Sequence, residues 1–244
     1  VSDGLFNDLV DQAWAGHFGC SPHELRRPGT TLVARERLSG SGAVHLVHLR
    51  ARAFAEIDPG LYSELNDLLG RIGATMNLSA EAVQQALPAG RVLASHRGLV
   101  FHLDPQHLVV RQPDPPVGMR SLSEADQGAL LALCASCEAE EVDDAYVEMS
   151  HEIVYGCFEG DRLLSAGSGY RRNGFLDIGV ITDPACRGRR LAPAIVAAIC
   201  LESEGKALIA QYRCDVGNYA SRHVAEHSGF TRLFSTETIE VAPR

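Results

Sequence analysis

Gly179-Val180-Ile181-Thr182-Asp183-Pro184-Ala185-Cys186-Arg187-Gly188-Arg189-Arg190-Leu191-Ala192 carries the clearest structural signal in the chain. An apolar, β-branched run enters Asp-Pro, a pair that ends a strand and opens a turn. A short Arg- and Gly-containing loop follows, and from residue 191 the apolar spacing predicts a helix to about residue 204, with Pro193 placed where only a first helical turn tolerates it. A strand that feeds a helix N-terminus through such a loop builds an anion site. The amides of the first turn have no helical acceptor, the helix dipole adds partial positive charge, and Gly188 permits close approach of a ligand. Arg187, Arg189 and Arg190 supply full charges for phosphate oxygens. A diphosphate suits this set better than a base or a sugar.

The neighbourhood has a regular order. Upstream, the pattern predicts a strand over 119–122, a Ser123-Glu124-Ala125-Asp126 capping box leading into a helix over 130–137, and an acidic segment over 138–144. A hairpin of 153–158 and 163–170 then turns at Glu159-Gly160-Asp161, before a strand over 175–182. Downstream come a strand over 207–216, Gly217-Asn218, a helix over 219–228 stopped by Gly229, and a strand over 236–241. The Pro- and Gly-rich segment 112–118 is taken as the boundary between an N-terminal α/β domain, 1–111, and a C-terminal domain, 112–244. The N-terminal half reads as helices over 5–18, from a Ser21 cap, over 61–72 and over 80–87, with strands over 30–34, 43–49, 91–103 (broken near Gly98) and 108–111. It shows no chemical motif. The fold class is mixed α/β.

Two landmarks together suggest a family. The loop resembles the coenzyme A pyrophosphate motif of the GNAT superfamily: Arg187 and Ala192 occupy its first and last positions, and Gly188 the glycine that often follows the arginine. Arg190 stands in place of its central glycine. Asn218-Tyr219-Ala220-Ser221, with the apolar helix face ending in Gly229-Phe230, is similar to the later GNAT segment. The resemblance covers roughly 105–242. The residues Gly179 to Thr182, Arg187-Gly188, Tyr212-Arg213-Cys214, Asn218, Ser221 and Gly229-Phe230 make it similar in particular to zwittermicin-resistance-type acetyltransferases.

The resemblance implies a GNAT fold for 112–244 and an N-acetyltransferase that moves the acetyl group of acetyl-CoA to a primary amine, a small molecule by preference, by direct attack in a ternary complex. It implies that Val180, Ile181 and Thr182 line the pantetheine arm, that Arg187, Gly188, Arg189, Arg190, Leu191 and Ala192 hold the diphosphate, and that Asn218 and Ser221 complete the coenzyme site. An alkyl amine with pKa near 10.4 is unprotonated in only about one molecule in a thousand at neutral pH, so a base is needed. Glu148, His151, Glu152 and Asp177 are the candidates, with Glu152 and Asp177 preferred. The tyrosine acid of many relatives is replaced by Ala225, leaving Ser221 to serve the departing thiolate. The N-terminal half is expected either to shape the acceptor pocket or to be a degenerate GNAT-like copy. The rival expectation is a non-catalytic acyl-CoA sensor that recruits a partner.

Bulk properties narrow the field. A formal charge of −9 disfavours nucleic acid, whose binding normally shows as a basic excess. Seven scattered cysteines lack the density of a secreted disulfide scaffold, and the first residues show no targeting segment, so a cytoplasmic setting is expected. The apolar run 191–201 is too short to span a bilayer, and no membrane role is expected. Cys134 and Cys137 read as core thiols, His223 and His227 as exposed residues one helical turn apart, and no metal is expected. A homodimer is the oligomer allowed for.

Overall fold

The computed structural model describes residues 3–73, 75–114, 116–206 and 208–242. In chain order the elements are α1 (Asp3–Phe18), α2 (Pro22–Leu25), β1 (Gly29–Ala34), β2 (Ala43–Leu49), β3 (Arg52–Ile57), α3 (Tyr62–Ile72), α4 (Ala80–Ala86), β4 (Val92–His102), β5 (Gly118–Ser121), α5 (Gln127–Cys134), α6 (Ala139–Ala145), β6 (Ile153–Glu159), β7 (Arg162–Arg172), β8 (Phe175–Thr182), α7 (Leu191–Glu204), β9 (Ile209–Asp215), α8 (Tyr219–His227) and β10 (Thr231–Val241). This is the mixed α/β class expected.

The compact units do not divide at 111/112. One comprises Phe101–Arg232 with the chain's start to Phe6; the other comprises Asn7–Val100 with Leu233–Arg244. The Pro- and Gly-rich segment therefore lies inside a unit, where the Asp114 amide donates to the Arg189 carbonyl at 3.4 Å. Pro115, within that segment, and Ala207, the first residue of the strand expected over 207–216, lie outside the described residues.

In the Asn7–Val100 unit the strands run β1-β3-β2-β10-β4, with β1 parallel to β3 and β2 antiparallel to both β3 and β10. Leu61, Leu65 and Leu68 recur at helical spacing and bury against Val44, Leu46, Ala55 and Ile57 of the sheet. Strand β3 was not expected from the pattern. Five of its six residues are buried, so polar and apolar positions do not alternate. Its Glu56 is ionised inside. Burial alone would raise its pKa, but hydrogen bonds from His17 and Arg35 and the charges of Arg35 and Arg37 outweigh that and bring it to about 2. Residues 108–111, expected as a strand, form none, and β4 continues through Gly98 without the expected break.

In the Phe101–Arg232 unit the strands run β9-β8-β7-β6-β5, antiparallel except for the parallel pair β8/β9. Helix α7 lies on one face, where Cβ atoms at Gly167 and Gly169 of β7 would collide with Ile195 and Ile199. Helices α5 and α6 cover the other face: Leu130 and Leu133 pack with Leu163, Ala166 and Ile181, and Val142 joins them. The capping box forms as read, with Ser123 and Asp126 exchanging bonds, although a 3-10 turn over Glu124–Asp126 intervenes before α5. The acidic segment is helix α6, which its charge pattern concealed.

Candidate active site

The strand before the loop separates from its neighbour. β8 pairs with β7 along its whole length, to Ser165↔Thr182. Its pairing with β9 starts at Phe175↔Ile209 and stops at Ile178↔Tyr212, so Gly179 to Thr182 have no β9 partner among the described residues. Backbone polar groups rarely stay unpaired in a sheet interior. A wedge of this kind is where an extended ligand can pair with the main chain.

The wedge leads into the loop. Asp183 fixes the turn, its carboxylate accepting from the Ala185 amide at 2.9 Å and pairing with Arg162. Gly188 has φ 82° and Arg190 φ 59°, and α7 begins at Leu191. Among the described residues no acceptor pairs with the amides of Gly188, Arg189, Arg190, Leu191 or Ala192. Gly188 and Arg190 are exposed. The arginines rest on acids: Arg187 on both Glu141 oxygens at 2.8 Å, Arg189 on Glu159 at 2.6 Å, and Arg190 near Asp114 at 3.7 Å. Exposed pairs of this kind are worth about 0–1 kcal/mol, so a phosphate can take over the guanidinium groups at little cost.

Arg190 sits in the left-handed region, where a non-glycine residue costs about 1–2 kcal/mol. That is the position at which the GNAT motif has glycine. Arg190→Gly should therefore relieve strain while losing only the long contact to Asp114. We expect melting to move up by a few degrees, a gain of about 1 kcal/mol or less once glycine's own entropy is counted; a lower melting temperature would show that Arg190 earns its conformation through contacts not evident here.

At the far end of the wedge Asn218 caps α8, its side-chain oxygen accepting from the Ser221 amide at 2.9 Å. The Ser221 hydroxyl lies 3.0 Å from that of Tyr212, the last β9 residue paired with β8. Burial pushes the Tyr212 hydroxyl up to about 12, with the bond to Ser221 opposing only in part, so it stays protonated at neutral pH. Sequence reasoning quoted Tyr212 without giving it a role. The signal was available in its position, a tyrosine on the strand whose inward face meets the start of the Asn-capped helix.

The preferred carboxylates are both engaged. Asp177 is buried and accepts from Tyr170 at 2.9 Å, Gln211 at 3.1 Å and Arg213 Nε at 2.8 Å. Glu152 is paired with Arg171 at 2.7 Å. The Nδ1 of His151 is 2.7 Å from the Ser168 hydroxyl, its ring stacks on Tyr170 with centroids 4.6 Å apart, and Tyr146 lies against both rings, 5.1 Å from His151 and 5.2 Å from Tyr170. Burial lowers its pKa, an effect that Glu148, 3.7 Å from Nε2, offsets in part. Gly179, opposite Ser168 in the register, leaves the space into which the Ala145 carbonyl fits, and so seats Tyr146 against the wedge. The structure thus brings together Val180, Ile181, Thr182, the loop to Ala192, and the Asn218/Ser221 corner, with His151 and Tyr146 beside them.

Residues 154–238 match the family model of GNAT acetyltransferases. No curated protein matches the chain. Among solved structures, a GNAT-family acetyltransferase from Colwellia psychrerythraea is 17% identical, with 77% of this chain and 76% of that one aligned at a TM-score of 0.51. A GCN5-related N-acetyltransferase from Kribbella flavida is 14% identical, with 83% and 68% aligned at a TM-score of 0.52. At such identities the structural likeness speaks to the fold alone.

Proposed function

We propose that the chain, whose residues 154–238 match the family model of GNAT acetyltransferases, transfers the acetyl group of acetyl-CoA to a primary amine, by direct attack in a ternary complex. The observation that carries this reading is the strand β8, which loses its β9 partner after Ile178 just ahead of an exposed turn with unpaired amides. In this reading the diphosphate lies on the amides of Gly188 to Ala192 with Arg187, Arg189 and Arg190 around it, and the pantetheine arm extends the sheet along Val180, Ile181 and Thr182. Both contacts use main chain, and what they displace is weak: the long bond from Arg187 Nε to the Thr182 carbonyl and the exposed pairs of the arginines.

The sulfur end then falls toward Ser221 and Tyr212. As the amine attacks, the thioester C–S bond breaks and the sulfur leaves with the electron pair. Ser221 is placed to donate a proton to it, and the Tyr212 hydroxyl 3.0 Å away holds the serine in position. Asp177, held by Arg213, Tyr170 and Gln211, serves as an anchor for the wedge, and Glu152 stays with Arg171. The acceptor is a small amine, and the motif residues favour the zwittermicin-resistance-type group. The seven free cysteines suit a reducing cytoplasm, and among the described residues no helix is long and apolar enough to cross a membrane.

Thiol release from acetyl-CoA, measured with a panel of small amines and lysine peptides side by side, tests the proposal. We expect amine-dependent release, favouring small amines. Ser221→Ala should lower kcat roughly 10- to 100-fold, at the low end of a general-acid contribution, with coenzyme affinity unchanged. Tight coenzyme binding with no amine-dependent release would leave a coenzyme-binding role only.

A further inference from the structure

The face of β7 opposite α7 carries a chain of polar contacts that acyl-donor binding does not use. Ser168 and Tyr170 point to this face, alternating with Gly167 and Gly169, which meet α7. Around His151 the facing groups are Glu148 on its own loop, Tyr146 from the end of α6, and Ser168 and Tyr170 from β7. Behind Tyr170 lie Asp177 of β8 and Arg213 of β9, whose charges balance in a pair 2.6 Å apart. Of these charged groups only Glu148 faces the ring directly, and it is half exposed.

From this arrangement we propose that His151 is the base that takes the proton of the acceptor ammonium, and that Ser168 is the positioning residue that fixes which ring nitrogen does so. The inference rests on the transferase reading above. Ser168 is wholly buried and its hydroxyl lies 2.7 Å from Nδ1. With Nδ1–H donated to that oxygen, the lone pair is on Nε2, the nitrogen on the Glu148 side. An ammonium arriving there meets the Glu148 carboxylate, whose charge favours a cation. Burial keeps the ring neutral and ready to accept, and a base has value near neutral pH when its pKa is no higher than the working pH.

Nε2 takes one proton from the ammonium, freeing the nitrogen lone pair, and the C–N bond forms as the C–S bond breaks. The attacking nitrogen gives up its second proton to the departing sulfur by way of the Ser221 hydroxyl, which takes one proton as it donates another and ends as it began. The products are amide, free thiol and a protonated His151, which returns its proton to water.

The test uses the full chain with acetyl-CoA and two acceptors, n-propylamine, which is almost wholly protonated at neutral pH, and methoxyamine, which is not. His151→Gln should bind coenzyme as tightly as the unaltered protein, which shows that it is folded. It should lose roughly 100-fold or more in kcat/KM with n-propylamine and less than about tenfold with methoxyamine, as expected when a base worth 10²–10⁴ is removed from a step that only the ammonium needs. The unaltered protein should show a kcat/KM that levels off above the histidine's pKa; in His151→Gln it should climb about tenfold per pH unit toward the amine's own pKa. Ser168→Ala should fall roughly tenfold and move the acid limb to lower pH, because the lost acceptor favoured the charged ring. If the unaltered protein acetylates n-propylamine and His151→Gln does so within about threefold, on the same pH profile, the base is elsewhere and the transferase reading stands. If coenzyme binds and no amine in the panel is acetylated, the transferase reading fails and this inference with it.

Discussion

Replacing Gly188 by proline should cost the protein at least about 100-fold in coenzyme A affinity while leaving it folded. The residue holds φ 82°, and a proline ring fixes φ near −65°. The substitution therefore removes one amide and redirects the backbone that carries the following amides, Arg189 to Ala192. A hydrogen bond to a charged group is worth about 1.5–3 kcal/mol, and about 1.4 kcal/mol is tenfold in affinity, so misdirecting even two reaches the stated loss. The fold should survive because Gly188 is exposed and a Cβ there would meet nothing within 4 Å. Gly188→Ala separates strain from hydrogen bonding: it keeps the amide, pays about 1–2 kcal/mol for its φ, and should lose stability more than affinity. Calorimetric titration of the two variants reads both effects. Undiminished affinity in Gly188→Pro would move the diphosphate to another part of the chain.

Gly179→Ala should be a strongly disruptive single methyl in the Phe101–Arg232 unit. A Cβ at this position would fall on the carbonyl of Ala145, a backbone atom that no side-chain rotation can remove. One of two elements has to give, either β8, paired to β7 on both sides of Gly179, or the end of α6 with Tyr146 in its left-handed conformation. Overpacking of this type costs about 1–3 kcal/mol, and backbone contact places it at the upper end. Melting should fall by roughly 5 °C or more. Because the displaced segment carries Tyr146 away from His151, amine turnover should drop further than coenzyme affinity does. Unchanged melting and turnover would mean that α6 adjusts freely, and Tyr146 would then have no fixed place beside the wedge.

The sequence was most legible where one interaction dominates. The strand ending at Thr182 and the helix from Leu191 to Glu204 were read to the residue, since Asp-Pro, the glycine turn and Pro193 each allow few alternatives. Capping boxes at Ser21 and Ser123 were likewise visible, because both partners of each bond lie within four residues. Reading failed where partners come from far away. Strand β3 carries Glu56, an acid that makes sense inside only beside Arg35, Arg37 and His17. Helix α6 has four acids, Glu140, Glu141, Asp143 and Asp144, with no basic residue among them, and reads as solvated loop until Val142 and Ala145 are seen against the core. The units follow tertiary pairing, with β10 returning to lie beside β2, and no local composition marks that.

The same distinction separates the two halves of the site. The diphosphate loop is local, fourteen consecutive residues from Gly179 to Ala192. The acceptor side is assembled from the end of α6, the segment before β6, and β7, β8 and β9. Asp177 looked available as a base because Arg213 lies on the next strand over and Tyr170 on the one before; His151 could be weighed but not chosen, because Ser168 lies 17 residues away. The glycine motif position occupied by Arg190 shows a related effect: the side chain departs from the family pattern while the backbone keeps the left-handed conformation.

Amide resonances of isotope-labelled protein, followed as coenzyme A is added, test the central claim most directly. The account predicts that Gly188, Arg189, Arg190, Leu191 and Ala192 shift together and saturate on one binding curve, since their amides are the ones left without acceptors in the chain. Coenzyme that binds while those resonances stay in place would contradict it.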